Sequence, residues 1–528
     1  MASGAGLRPS SHSLIKCSLK VCWQPKSADA DTSVMNRNRN GGDRMKHWLL
    51  LCCVGLALLG CSEQEPWMSP SAQPALVPGQ SMSAKMPFAD YVTQSELRLL
   101  AAMEGMAISG QHVGFIGGYT AQEAAAMRAP FEWRGDQTAC FPTEQSAVDT
   151  TMSGDAHQAG EPDPTAATDP AIAPATMGAG KGFLLIHGLT DSPYSLRATA
   201  ESLRETYPCS LIRAVLLPGH GTWPGDSLTM SHQDWRTIVD YGVNSFQHED
   251  AVTSLYMVGF STGTSLTVDY LSRHPVPAEQ PRDDKIHGAV MMAAAVKANS
   301  SIAFLAPWVR HVTTWMSHHK EQDAIRYESF SYHAAAEFYL LTEDMVQPAN
   351  ALTVPVMMVV PADDTTVDTQ AAREFFCYAN QNGEPVERKL LLWYASIDEQ
   401  INQEISANPA LNCDNIVEVS PLAMEASYQT LNQSHLGVLT PPTDSHYGLN
   451  GKYRHCKYYE TNGTEADFQA CQTDNQNSVF GENYSLVEEQ GKLNGRYLRR
   501  GTFNPEYDAM IEKVVCFVDE ECELETVL

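Results

Sequence analysis

The sequence predicts an α/β protein built on a mainly parallel sheet covered by helices on both faces, and three observations carry that expectation. From Gly182, apolar runs recur at helix-sized intervals: GFLLIHGL (182–189), LIRAVLLPG (211–219), SLYMVGF (254–260), IHGAVMMAAAV (286–296) and VPVMMVV (354–360). Strands that are apolar throughout are buried on both faces, as parallel strands joined by crossover helices must be. Amphipathic segments fall between the runs, among them Tyr194–Thr206, Trp235–Phe246 and Thr262–Arg273. Finally, the chain of 528 residues is 43% hydrophobic and 19% charged, enough apolar content for a large core, which excludes general disorder, collagen and a disulfide-only miniprotein. A net charge of −28 repels phosphate backbones and argues against a nucleic-acid partner.

The elements in order begin with an address. From Met45 the sequence reads MKHWLLLCCVGLALLGC, in which basic Lys46 is followed by a 12-residue apolar run (48–59) that leads through Leu58-Leu59-Gly60 to Cys61. That run is too short to span a ~30 Å hydrocarbon core, so it is expected to be the core of a signal peptide. The leader resembles a bacterial lipoprotein signal. The resemblance implies lipidation of Cys61 as the first mature residue, a membrane partner through that lipid, and a place in the cell envelope. Residues 1–61 are accordingly the leader and 62–87, rich in Pro, Ser and Gln, a tether. Residues 88–142 form a helical prelude, with Tyr91, Leu97, Leu99, Leu100 and Met103 at helical spacing. Residues 143–181 hold almost no large apolar side chains and are expected to be a disordered insertion. The Gly178-Ala-Gly-Lys-Gly that ends it lacks the Ser or Thr of a phosphate loop.

Residues 182–528 form the main domain. The chain's eight cysteines beyond Cys61, Cys140 of the prelude included, suit an oxidising compartment, with Cys456–Cys471 and Cys516–Cys522 the short-loop pairings among 105 possible. No cysteine–histidine set has zinc spacing, and His318-His319 reads as a solvated pair. The main chemical signal is Gly259-Phe260-Ser261-Thr262-Gly263, the chain's single G-x-S-x-G, placed between a strand and a helix. A serine on such a turn crowds its own backbone, and the flanking glycines relieve the clash. The turn would aim the Thr262 amide at a developing oxyanion. His187-Gly188-Leu189 follows the first strand and offers the Leu189 amide as second donor, with His187 itself bracing the loop.

HGLTDSP, LPGHGTWPGDSL and GFSTG, in this order, resemble the α/β-hydrolase superfamily, in particular its bacterial carboxylesterase and monoglyceride-lipase branch. The resemblance implies an α/β-hydrolase fold with a helical cap and a Ser-Asp-His triad in that chain order. The family's acid turn registers on Asp364 after VPVMMVV, with Asp363 a live rival because Pro361 stands where the family has Gly; Asp368 reads as a helix cap. For the base, Gln433-Ser434-His435 follows the last strand-like run (416–424), with His446 as the alternative. The 71 residues from Asp364 to His435 imply an excursion around Cys377 and Cys413.

The insertion at about 297–350, with Phe304, Leu305, Trp308, Trp315 and Met316, is expected to cap the site and bind an acyl chain. Gly225-Asp226-Ser227-Leu228 spells the block of another esterase family, but the chain's D-x-x-H, Asp284–His287, lies mid-chain. The expected function is carboxylic-ester hydrolysis without a cofactor, on a small-molecule ester. A peptidase- or thioesterase-type acyl hydrolase, or a non-catalytic envelope lipoprotein that binds a partner, stays open.

Overall fold

The computed structural model describes residues 66–521 apart from 73, 78–85, 109–114, 136–139, 141–178, 277–281, 301, 346–351, 353, 382–383, 387, 422–427 and 501–502. Cys61, the leader and nearly all of the 143–181 insertion therefore lie outside the described residues.

Eight strands make one sheet. They are β1 (Phe131–Arg134), β2 (Gly180–Ile186), β3 (Leu211–Val215), β4 (Val252–Phe260), β5 (Ile286–Met292), β6 (Val356–Pro361), β7 (Lys389–Tyr394) and β8 (Ile416–Val419), in the order β1-β3-β2-β4-β5-β6-β7-β8. Only β1 runs antiparallel, pairing Phe131 with Ala214. Two expectations are corrected here. The prelude is not wholly helical, because β1 is an edge strand of the main sheet. The insertion does not reach 181, because Gly180 and Lys181 already pair with β4.

Side chains alternate across the sheet. On one face Leu184, Ile186, Met257 and Met358 pack under helices α4 (His232–Gln247), α5 (Thr262–Arg273) and α7 (Thr369–Tyr378) through Trp235, Ile238, Leu266, Phe375 and Phe376. On the other, Phe183, Leu185, Val258 and Val359 meet α3 (Arg197–Thr206) and the last long helix, Tyr507–Asp519, through Leu203, Met510 and Phe517. The strands rise 3.2–3.4 Å per residue with period 2, so one continuous apolar run serves both layers.

Three further pieces surround this core. In the prelude, α1 (Phe88–Ile108) and α2 (Ala121–Arg128) bury Leu99, Met103, Met106 and Ala124 together with Trp67 and Met68. The segment expected to be a tether is packed against the prelude around residue 67. Ser71 donates from its amide and its hydroxyl to Asp226, at 2.6 Å each. Gly225 passes so close to Ser69 that a Cβ would lie 2.1 Å from its carbonyl oxygen. The insertion between β5 and β6 supplies a short helix (Ala306–Val309), a hairpin (Trp315–Ser317 with Phe330–Ser331) and α6 (Tyr332–Asp344). After His435 the chain makes a second excursion, with a parallel pair β9 (Ser478–Gly481) and β10 (Tyr497–Arg500).

Disulfides join Cys140 to Cys209, Cys377 to Cys413 and Cys456 to Cys471. Cys516 is also disulfide-bonded, and Cys522 lies outside the described residues.

Candidate active site

β4 ends at Phe260 and α5 begins at Thr262, so Ser261 alone makes the turn from strand to helix. Its φ of 51° and ψ of −118° lie outside the ordinary regions for a residue with a side chain, a strain of order 1–3 kcal/mol that the surroundings must hold. They do so by contact. A Cβ on Gly263 would lie 1.9 Å from the Ile186 carbonyl oxygen, and one on Gly259 would lie 2.7 Å from the Gly263 backbone. The Ser261 amide donates to Met292 at 3.0 Å and its carbonyl accepts from Thr264 at 2.8 Å. The hydroxyl is thereby presented at the carboxyl end of the central strands.

The structure brings three of the expected residues together. The Ser261 hydroxyl donates to His435 Nε2 at 2.9 Å, and His435 Nδ1 donates to Asp364 Oδ2 at 2.5 Å. The other Asp364 oxygen accepts from the amides of Thr366 (2.7 Å) and Val367 (3.3 Å). Ser261 and His435 are only 6% and 4% exposed. The Phe260 ring lies 5.1 Å from the imidazole, centroid to centroid.

The two remaining expected residues belong to the backbone beside Ser261. Thr262 is the first residue of α5. Gly188 lets the loop after β2 run against the serine, since a Cβ there would lie 3.0 Å from the Ser261 Cβ, and Leu189 is next in that loop. His187 braces it: Nδ1 donates to the Gly188 carbonyl at 2.8 Å and Nε2 accepts from the Leu217 amide at 3.0 Å. Burial holds this imidazole well below its usual range, so it stays neutral. The insertion between β5 and β6 pins the same loop, with the Tyr327 amide on the Thr190 carbonyl at 2.8 Å.

The rivals have other partners. Asp363 accepts from Ser396 Oγ (2.5 Å), the Ile397 amide (3.1 Å) and Asn432 Nδ2 (2.8 Å). His446, the alternative base, is fully buried, donating from Nε2 to Asp323 and accepting at Nδ1 from Tyr119, both at 3.0 Å. Its ring is stacked on Tyr453 and edge-on to Tyr447, which is why a polar-looking segment is interior. Ser227 lies 3.0 Å from Ser331. Asp284 pairs with Arg282 and His287 with Glu520. Asp368 caps α7 through the Ala371 amide at 3.0 Å. His318 is exposed, whereas His319 is half-buried against Glu460.

The support behind these groups has no motif in the sequence. Glu482, just after β9, accepts from Thr365 Oγ1 at 2.6 Å and from Arg500, and Arg500 also donates to Thr366 Oγ1 at 3.0 Å. Burial opposes ionisation of Glu482, but the Arg500 charge and hydrogen bonds outweigh it and hold the carboxyl below its usual range. Asn432 accepts from the Glu482 amide at 2.8 Å while it donates to Asp363. The excursion therefore grips both the turn that carries Asp364 and the loop that carries His435.

Beside Phe260 and Leu436 lies a cavity of about 20 Å³, also lined by Asp191, Arg326, Tyr447 and His455, room for about one water. A wider cleft of about 610 Å³ runs between α2, α3 and residues 441–452. Neither is lined by Ser261.

The architecture is the α/β-hydrolase fold. Residues 183–414 match the alpha/beta hydrolase family. His435, the prelude and the second excursion lie outside the match. A thermostable monoacylglycerol lipase of Bacillus sp. (strain H-257) is 33% identical over 95 residues, 18% of this chain, and the chain spans only 36% of that relative's length. Among solved structures, a metagenome-derived lipolytic enzyme described with LipS and LipT is 20% identical, covering 41% of this chain and 84% of its own at a TM-score of 0.35. A monoacylglycerol lipase of Paleococcus ferrophilus is 18% identical, covering 41% and 86% at 0.32.

Proposed function

With an α/β-hydrolase core as the premise, we propose that this protein hydrolyses carboxylic esters through an acyl-enzyme on Ser261, with His435 as base and Asp364 as the acid that orients it. The observation that carries this reading is the unbroken chain of hydrogen bonds from the Ser261 hydroxyl through His435 to Asp364. Ser261 Oγ attacks the ester carbonyl while His435 Nε2 takes its proton. Asp364 holds the imidazole with its proton on Nδ1 and stabilises the imidazolium. The Leu189 and Thr262 amides receive the oxyanion. The Oγ–acyl bond forms, the imidazolium protonates the departing alcohol, and water then attacks the acyl-enzyme with His435 again as base. The chemistry needs no cofactor.

Fluorophosphonate labelling tests the reading. Ser261→Ala should abolish labelling and reduce p-nitrophenyl ester hydrolysis by ~10⁴–10⁶-fold with its thermal unfolding unchanged. Retained labelling would send the search to Ser227. Lipidation of Cys61 and an envelope location belong to the same proposal. Labelled palmitate should enter the wild type and not Cys61→Ala, and a mature amino terminus elsewhere would defeat this part.

A further inference from the structure

Nine large apolar side chains are exposed among the described residues, and six of them lie between 302 and 316. Ile302 is 63% exposed, Phe304 53%, Trp308 76% and Val312 79%, with Leu305 and Met316 beside them. The cap was expected to turn these side chains toward an acyl chain, but it turns them to the outside. An apolar patch of this density on a soluble face marks an interaction surface rather than ordinary surface scatter.

Charge narrows the occupant. In a chain of net charge −28, residues 297–320 contain no Asp or Glu, while Lys297, Arg310 and Lys320 and three histidines are spread along them. The acids that other elements bring against this segment are each paired: Glu337 with Arg310 at 2.5 Å and His232 at 2.7 Å, Asp368 with Lys297 at 2.8 Å, and Glu460 with His319 at 3.2 Å. A protein this acidic is held off an anionic bilayer on most of its surface. A face with cations, an aromatic ring and aliphatic side chains can approach one.

The amino-terminal strap leads to the same side. Trp67 and Met68 are buried in the cluster against which Trp315 packs, and Cys61 is six residues upstream of Trp67, a reach of at most ~20 Å.

We propose that Ile302–Met316 is a lipid-docking face. Phe304, Leu305, Trp308 and Val312 enter the acyl region of a bilayer, while the exposed Lys320, beside exposed His318, meets headgroup phosphates. The proposal deepens the esterase reading by making the substrate an ester drawn from a leaflet, and that part rests on the reading; the docking itself does not.

The test uses the full chain carrying Cys61→Ala and Ser261→Ala, so that neither an attached lipid nor hydrolysis contributes, and sedimentation with mixed phosphatidylcholine–phosphatidylglycerol vesicles. The protein should sediment with the vesicles. Adding Trp308→Ser and Val312→Ser should weaken binding roughly tenfold or more, while Leu97→Ser, on an exposed site of α1, should leave it unchanged. With Ser261 restored, the Trp308/Val312 variant should keep its rate on a soluble acetate ester and lose rate on a vesicle-embedded monoacylglycerol. Absence of vesicle binding, binding equal in both proteins, or a solution dimer dissolved by the two serines would overturn the docking face. Vesicle binding as expected beside an inert Ser261 would overturn only the esterase.

Discussion

Asp363 and Asp364 are adjacent carboxylates pointing to opposite sides of one turn. Asp364 faces His435, and its replacement by Asn should leave the imidazole in the wrong tautomer and lower kcat/KM by about 10⁴-fold. Asp363 holds Ser396 and Asn432, and burial raises its pKa. Asp363→Ala should mainly cost stability, about 2–4 kcal/mol in urea unfolding, because three donors lose their acceptor. The histidines divide in the same way. His435→Ala should collapse kcat/KM, whereas His446→Ala should lower the melting temperature and keep most of the activity, since it strips a hydrogen bond from buried Asp323. The reverse result would exchange their roles. Asp191 gives a pH dependence. Burial pushes its carboxyl up to about 6, against ~3.9 in an unfolded chain. The native state therefore holds this proton more tightly, and the stability present below about pH 4 is lost as pH rises through about 6, on the order of 3 kcal/mol. Asp191→Asn should remove that loss. Unfolding curves of wild type and variant that stay parallel across this window would contradict it.

At the scale of elements, the elbow is the least tolerant part. Gly263→Ala places a methyl on the Ile186 carbonyl and should prevent accumulation of folded protein, measured as soluble yield and near-UV circular dichroism. This same local demand explains why Ser261 was legible: a strained strand-to-helix turn requires its glycines within two residues, so the constraint is written where the function is. The apolar strands were legible for a similar reason, since burial on both faces leaves no polar position in the run. β1, with the sequence FEWR, gave no such signal, because an edge strand needs no continuous apolar run. Gly180 and Lys181 hid the start of β2. His435 could be chosen over His446 by its place after a strand-like run and by the family-like Ser-His followed by apolar residues, while nothing near His446 marked it as interior, because its partners Tyr119 and Asp323 are 327 and 123 residues away. Glu482 and Arg500 were invisible, because they act on Thr365 across 117 and 135 residues. Glu482→Gln should loosen the acid turn and lower kcat/KM by roughly ten- to hundredfold without abolishing fluorophosphonate labelling.

Across the whole molecule, separate stretches of chain are tied onto one sheet. The prelude is tied to the insertion between β5 and β6 by Arg128, whose buried guanidinium donates to the carbonyls of Asp323 and Ala324 there and to that of Gly221 after β3. The Cys377–Cys413 bond, with a sequence separation of 36, secures the stretch from α7 to the strand β8. Replacing both cysteines by serine should cost about 4 kcal/mol by chain entropy, read as a lower urea midpoint, with a slope that rises if it changes, since the freed unfolded chain exposes more surface. The grip of β9 and Arg500 on the loops of Asp364 and His435 also has a consequence in time. A chain emerging from its amino end acquires all three reacting side chains by residue 435, but the parts that hold two of them in place arrive only between residues 478 and 500. Until residues 478–500 have been made and folded, a nascent chain carries all three side chains without the partners that hold the Asp364 turn and the His435 loop, so the proposed hydrolysis would gain its full rate only late in synthesis.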